Sequence, residues 1–272
     1  MLIGKHNFEV ENHTYVMGIL NVTPDSFSDG GRHNSIDSAL YHAEKMIKEG
    51  AAIIDVGGES TRPGYTQISD EEEIFRVSGV IEEIKRRFDI PVSLDTYKAK
   101  VAAAGIRAGA DLINDIWGLK YDSKMAKVIA ENNVACCLMH NRKETVYQEL
   151  KKDLIGDLKE TVRLAEKAGI SADKIILDPG VGFAKNYRQN LEAIALCPEI
   201  KTLGYPVLLG TSRKSVIGQT LDKPTEDRVY GTVATSVLAV IYGCSFVRVH
   251  DVAENIDGIR MAVAVLNCDK EV

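Results

Sequence analysis

Long apolar runs, tryptophan and surplus positive charge are what this sequence has least of. One Trp stands among 272 residues, and aromatic side chains make up only 6%. The most apolar stretch, residues 233–242, is interrupted by Thr235 and Ser236 and falls well short of the ~20 residues that cross a bilayer. No membrane role is expected. With 33 basic against 39 acidic side chains the net charge is −6, which removes the electrostatic footprint of a nucleic-acid binder. Proline and glycine, 7 and 22 residues, stay far below low-complexity levels. The apolar and charged fractions of 45% and 26% are those of a globular chain, so disorder is excluded as the main state. Cys136, Cys137, Cys197, Cys244 and Cys268 are odd in number and show no zinc spacing, which predicts reduced and mostly buried thiols. Gly4, Lys5 and His6 follow Met1 so closely that no leader is expected, and the chain reads as cytoplasmic. No linker or internal repeat divides it, which predicts one domain over residues 1–272.

What is present is a regular alternation. Short apolar runs at 15–20, 52–56, 91–94, 111–113, 134–139, 174–177, 206–209 and 245–249 carry no polar alternation, as suits parallel strands buried on both faces. Between them lie amphipathic stretches such as 36–49 and 70–88, in which Ile74, Val77, Ile81 and Ile84 recur at helical spacing. Gly50, Gly109 and Gly169 each close a helical run before a strand, as left-handed caps do. Eight β-then-α units predict an α/β chain folded as a (β/α)8 TIM barrel. Its rival is a doubly wound open sheet. The barrel is favoured because polar clusters end nearly every strand, where one ring of loops gathers them. Residues 2–13 read as a hairpin-like extension turning near Glu11 and Asn12 and plugging the barrel bottom.

Those clusters are specific. Asn21-Val-Thr-Pro-Asp-Ser-Phe-Ser-Asp-Gly-Gly follows the first strand and Asp55-Val-Gly-Gly-Glu-Ser-Thr-Arg-Pro-Gly the second. Asp95-Thr, Asn114-Asp and Met139-His end the third, fourth and fifth. Asp178-Pro-Gly-Val-Gly-Phe-Ala-Lys, Gly210-Thr-Ser-Arg-Lys-Ser and Arg248-Val-His-Asp complete the ring. Together, over residues 17–251, they closely resemble the dihydropteroate synthase family of pterin-binding enzymes. The resemblance implies a transferase of folate biosynthesis that joins 6-hydroxymethyl-7,8-dihydropterin diphosphate to para-aminobenzoate and releases diphosphate. It also implies a Mg²⁺ cofactor, sulfonamides as inhibitors and a homodimer built through outer helices.

The residue chemistry bears on this independently. A pterin edge offers donors beside a carbonyl, so its pocket needs a carboxylate, an amide and a cation, which Asp178, Asn114 and Lys214 supply. The resemblance adds Asp95, Met139, Phe183 and Gly210 to the pterin set. Each residue also has a plainer reading: Asp178 as a turn opener or helix cap, Asp95 as the cap of a helix over 97–107, Asn114 as a turn residue and Lys214 as a surface charge. Arg248 and His250 alternate with Val247 and Val249 and so share one face, giving a phosphate-binding pair or an ordinary ion pair. By resemblance they serve the diphosphate with Thr61 and Asn21, and Asn21 is also a ligand to Mg²⁺. The same likeness gives Phe27, Asp29, Arg62, Pro63 and Ser215 to the aminobenzoate and its glycine-rich loops. The run Asp70 to Glu73 reads as an acidic first helical turn, and Arg213 as a scaffold ion pair.

Three rivals stand beside this. A methyltetrahydrofolate:corrinoid methyltransferase shares the barrel and pterin pocket but has no use for a diphosphate site, a noncatalytic pterin-binding paralogue would bind without turnover, and a phosphate-binding isomerase is remote.

Overall fold

The structure, a computed structural model, describes residues 1–22, 31–59 and 66–268, with side chains from Ile36 onward in the second segment. After a hairpin of β1 (Leu2–Ile3) and β2 (His6–Asn7), the chain runs β3 (Tyr15–Asn21), α1 (Gly31–Lys48), β4 (Ile53–Gly57), α2 (Asp70–Arg87), β5 (Val92–Asp95) and α3 (Ala99–Ala108). It continues through β6 (Leu112–Asp115), α4 (Met125–Asn132), β7 (Ala135–Met139), α5 (Leu150–Ala168), β8 (Ile175–Asp178), α6 (Tyr187–Ala195) and α7 (Cys197–Lys201). Last come β9 (Leu208–Leu209), α8 (Ser215–Leu221), α9 (Val229–Ile241), β10 (Phe246–Val249) and α10 (Val252–Leu266).

Strands β3 to β10 form one parallel sheet in the order β8-β7-β6-β5-β4-β3-β10-β9. A parallel bridge between Leu177 and Val207 joins its ends, so the sheet closes into a barrel. The open sheet is thereby excluded. Outward residues such as Leu20, Val56, Leu94, Leu138 and Val247 pack under the helices. Inward residues Met17, Ile53, Leu112, Ala135, Cys137, Ile176, Leu208 and Phe246 fill the interior. Gly109 and Gly169 are left-handed C-caps at φ 111° and 90°, and Gly50, at φ 105°, does the same after α1.

Two expectations need correction. The hairpin turns at Gly4 and Lys5, not at Glu11 and Asn12, because Gly4 takes φ +58° and a Cβ there would stand 2.5 Å from Asp111 Oδ1. It does plug the barrel, since Ile3 and Phe8 join the interior cluster. The third helix begins at Ala99, not Tyr97, and Asp95 does not cap it: Asp122 accepts from Ala99 N at 2.9 Å. Tyr97 and Lys98 are drawn instead into buried bonds with Glu59, at 2.5 and 2.8 Å. Among the described residues no helix is long and apolar enough to cross a membrane.

Candidate active site

Inward positions change character along the strands. Two residues beyond the apolar floor, Ile53 gives way to Asp55, Leu112 to Asn114, Ile176 to Asp178, Leu208 to Gly210 and Phe246 to Arg248, while Ser93 gives way to Asp95. Because side chains on one face recur every second residue, this switch makes a polar layer at the C-terminal end of the barrel. Asp55, Asp95, Asn114 and Asp178 are all buried within it.

Arg248 organises one side. Its Nε donates to Asp55 Oδ2 at 2.6 Å and its Nη2 to Asp95 Oδ2 at 2.7 Å. Burial disfavours the guanidinium charge, and the two carboxylates overcome that, raising its pKa. Burial pushes Asp95 up to about 7 in spite of Arg248. The second oxygens, Asp55 Oδ1 and Asp95 Oδ1, are buried and have no partner among the described residues, as has Ser93 Oγ beside them in the sheet. Buried acceptors left unmatched are costly, and a donor-rich ligand edge satisfies them. Arg248, read from sequence as a diphosphate residue, thus sits bonded to Asp95, a member of the pterin set.

Across the barrel, Asp178 accepts from Gly180 N at 2.7 Å through Oδ1. This is the turn-opening role, yet helix α6 is capped elsewhere, by Asn186, and burial raises the carboxyl pKa. Its Oδ2 faces Gly210, where a Cβ would stand 3.7 Å from it and 3.9 Å from the Arg248 Cβ. Glycine keeps that space open. Lys214 Nζ donates to Val181 O at 2.5 Å and lies 4.9 Å from the centre of the Phe183 ring. Burial, opposed by Asp178, lowers its pKa to about 8. Met139 belongs to an apolar group with Tyr97 and Ile116, against which Trp117 and Phe183 pack.

At the mouth, His250 Nδ1 meets Ser212 Oγ at 2.9 Å. Asn21 ends β3 and is exposed, its Oδ1 3.6 Å from where a Cβ on Gly57 would be. Since β3 pairs with both β4 and β10, Asn21, Gly57, Arg248 and His250 share one sector of the rim. Ser215 is the exposed first residue of α8. Phe27, Asp29, Thr61, Arg62 and Pro63 lie outside the described residues. For a metal, the exposed Asn21 oxygen suits a hard cation that keeps most of its shell from phosphate and water.

The family of pterin binding enzymes matches residues 17–250 of the chain. The chain belongs to the pterin-binding enzymes. A dihydropteroate synthase of Clostridium beijerinckii is 60% identical over 96% of this chain and 97% of its own length. Among solved structures, a dihydropteroate synthase of Clostridium difficile determined in the presence of pteroic acid superposes with a TM-score of 0.92 at 49% identity, covering 95% of this chain and 99% of that one. A Yersinia pestis dihydropteroate synthase in complex with a sulfonamide drug gives 0.88 at 42% identity, over 94% and 95%.

Sequence reading of this pterin-binding enzyme passed over several residues of the site. Asp55 opens the second loop motif but has no assigned role in the sequence, although a charged residue in an apolar run is itself a signal of function. Glu73, read as part of an acidic helix start, is buried. With Glu59 it holds Lys98 Nζ, each at 2.8 Å, and Glu59 Oε2 also accepts from Ile68 N at 2.7 Å. No local pattern announces that trio, whose members are 14 and 25 positions apart and meet only in the fold. Arg213 pairs with Asp251 as a scaffold residue, with Nε 2.9 Å from Oδ2.

Proposed function

We infer that this chain condenses 6-hydroxymethyl-7,8-dihydropterin diphosphate with para-aminobenzoate, giving 7,8-dihydropteroate and diphosphate, as a transferase of folate biosynthesis. The observation that carries this is the buried array of Asp95, Asn114 and Asp178 with Lys214 above an apolar wall of Met139 and Phe183. Asp178 Oδ2 accepts from the amino and N–H edge of the pterin, Asn114 gives and receives beside it, and Lys214 donates to the ring carbonyl. Asp95 and Asp55 meet the remaining ring donors with the oxygens that Arg248 leaves open.

Cleavage of the carbon–oxygen bond leads the reaction in this reading. Loss of diphosphate leaves a methylene cation that the electron-rich ring delocalises, so the site must stabilise the leaving group and the ring charge more than it must activate a nucleophile. His250 and the outer edge of Arg248 face the departing diphosphate, with Thr61. The carboxylates of Asp95 and Asp178 lower the energy of the cationic ring. The weakly basic aniline nitrogen then attacks the methylene carbon and gives up one proton to the released diphosphate or to water, held by the segments that carry Phe27, Asp29, Arg62 and Pro63, with Ser215 toward its carboxylate. Asn21 would hold a Mg²⁺ ion, which when bound would supply charge neutralisation at the leaving group.

Sulfonamides are proposed to occupy the aminobenzoate position. A cytoplasmic setting is part of the proposal and suits Cys136, Cys137, Cys197 and Cys244, which are buried thiols without disulfides. A homodimer through α9 and α10 is proposed because Ile241, Met261, Val265 and Leu266 line one apolar groove there and are each more than half exposed. The deciding assay incubates purified protein with the pterin diphosphate and para-aminobenzoate, with and without Mg²⁺, and measures diphosphate and dihydropteroate. Stoichiometric formation of both is expected. Pterin binding without diphosphate release would overturn the reading in favour of methyl transfer or plain binding.

A further inference from the structure

Residues 178–185 link β8 to α6 and carry Asp178 and Phe183, and their own backbone holds them by one turn bond among the described residues, from Phe183 N to Gly180 O at 3.2 Å. Gly180, Gly182 and Ala184 alternate in the left-handed region at φ +70°, +87° and +43°. For alanine that conformation is unfavourable by about 1 kcal/mol, so contacts from outside must impose it. Those contacts come from side chains. Lys185 Nζ donates to Gly180 O at 2.9 Å and Phe183 O at 3.1 Å, and Tyr147 OH donates to Ala184 O at 2.9 Å. Asn190 accepts from Gly182 N at 2.6 Å and donates to Lys185 O at 3.0 Å.

Lys185 stands at the centre of this set. Its third contact, 2.9 Å long, is with His140 Nδ1. An ammonium only donates, so Nδ1 accepts and the ring proton sits on Nε2, which faces Asp157 Oδ2 at 3.0 Å. Asp157 lies in α5 and is also bonded by Arg142 Nε at 2.6 Å. A chain of bonds therefore runs from an outer helix through His140 and Lys185 to two carbonyls that bracket the loop. The arrangement is tight, since a Cβ on Gly180 would stand 1.9 Å from His140 O and 3.2 Å from Lys185 Nζ. Burial lowers the Lys185 pKa to about 7, which marks an ammonium placed there against its solvation preference.

We propose that Lys185 is a positioning residue for the pterin: its bonds to Gly180, Phe183 and His140 fix the loop in the conformation that presents Asp178 and Phe183 to the ring. This rests on the pterin assignment of Asp178. Lys185 touches no substrate in this account, so it acts on the affinity of one substrate and spares the chemistry of the other.

The test compares Lys185→Met with wild type, using calorimetric binding of the pterin diphosphate and steady-state kinetics. Pterin affinity is expected to weaken tenfold or more, with pterin KM rising in step. The aminobenzoate KM at saturating pterin should stay within twofold and kcat within threefold. Equal losses of kcat with both KM values unchanged, as a smaller folded fraction would give, overturn the proposal. Should the methionine variant not fold, Lys185→Gln, whose shorter side chain and two amide protons cannot serve all three acceptors, carries the test, and wild-type pterin affinity in that variant overturns it equally. Asp178→Asn, run in parallel, separates the two levels. If it binds pterin diphosphate normally, the site assignment has failed; if it binds weakly while Lys185→Met binds normally, only the positioning role has.

Discussion

At the scale of single residues, the unusual choice is to bury three carboxylates, Asp55, Asp95 and Asp178, with Arg248 bonded to two of them. Asp95, raised to about 7 chiefly by burial, is protonated in the fold at pH values where the unfolded chain has it ionised. Its contribution to stability is therefore present in full below about 3.8 and is lost as pH rises through about 7. Asp95→Asn should accordingly raise the melting temperature of the empty protein at pH 8, by roughly 2 kcal/mol of stability, with the gain shrinking toward pH 4. The same variant should bind pterin diphosphate more weakly. Thermal melts across that range check it, and a variant less stable than wild type at pH 8 would show that the Arg248 pair outweighs the burial. Asp178 and Lys214 stand out in the sequence because the first ends a strand and the second follows one in distinctive company. Arg248 was legible as an inward cation, but its two carboxylate partners were not. Asp55 and Asp95 stand 193 and 153 positions away from it, and only barrel closure decides what faces what.

At the scale of elements, the helices that flank β10 differ from the rest. α9 and α10 pack on each other and still leave Met261 65% and Ile241 55% exposed, whereas the outer faces of α2 and α5 are laced with charge. If two copies cover this face, Met261→Glu buries an unpaired charge at the contact. It should turn a dimer into a monomer while leaving the site's own bonds in place. Sedimentation velocity at micromolar concentration is the measurement. A wild type that runs as a monomer, or a glutamate variant that still runs as a dimer, would remove α9 and α10 as the contact. The strands and the helix at 70–88 are readable to within a residue or two because their periodicity is strong, whereas the helix expected at 36–49 begins five residues earlier, at Gly31. The third helix was read two residues early, since nothing local shows that Tyr97 and Lys98 are claimed by Glu59.

At the scale of the whole molecule, the floor and the working end of the barrel are built from the same strands but from different residues. Phe8 closes the floor against Tyr15 and Phe246, with ring centres 4.8 and 5.7 Å away. Phe8→Ala should lower stability by roughly 3 kcal/mol and leave KM and kcat unchanged at temperatures where the variant is folded. Denaturant melts with parallel assays check this, and a selective rise in either KM would contradict the separation of the two ends. Closure has one more consequence, for how the molecule is made. The barrel's seam joins residues 15–18 to residues 246–249, so the first barrel strand, β3, keeps one hydrogen-bonding edge bare until β10, about 230 positions later, has been synthesised. Throughout that interval the nascent chain is an open sheet with an adhesive margin, and the seam shuts only when β10 arrives.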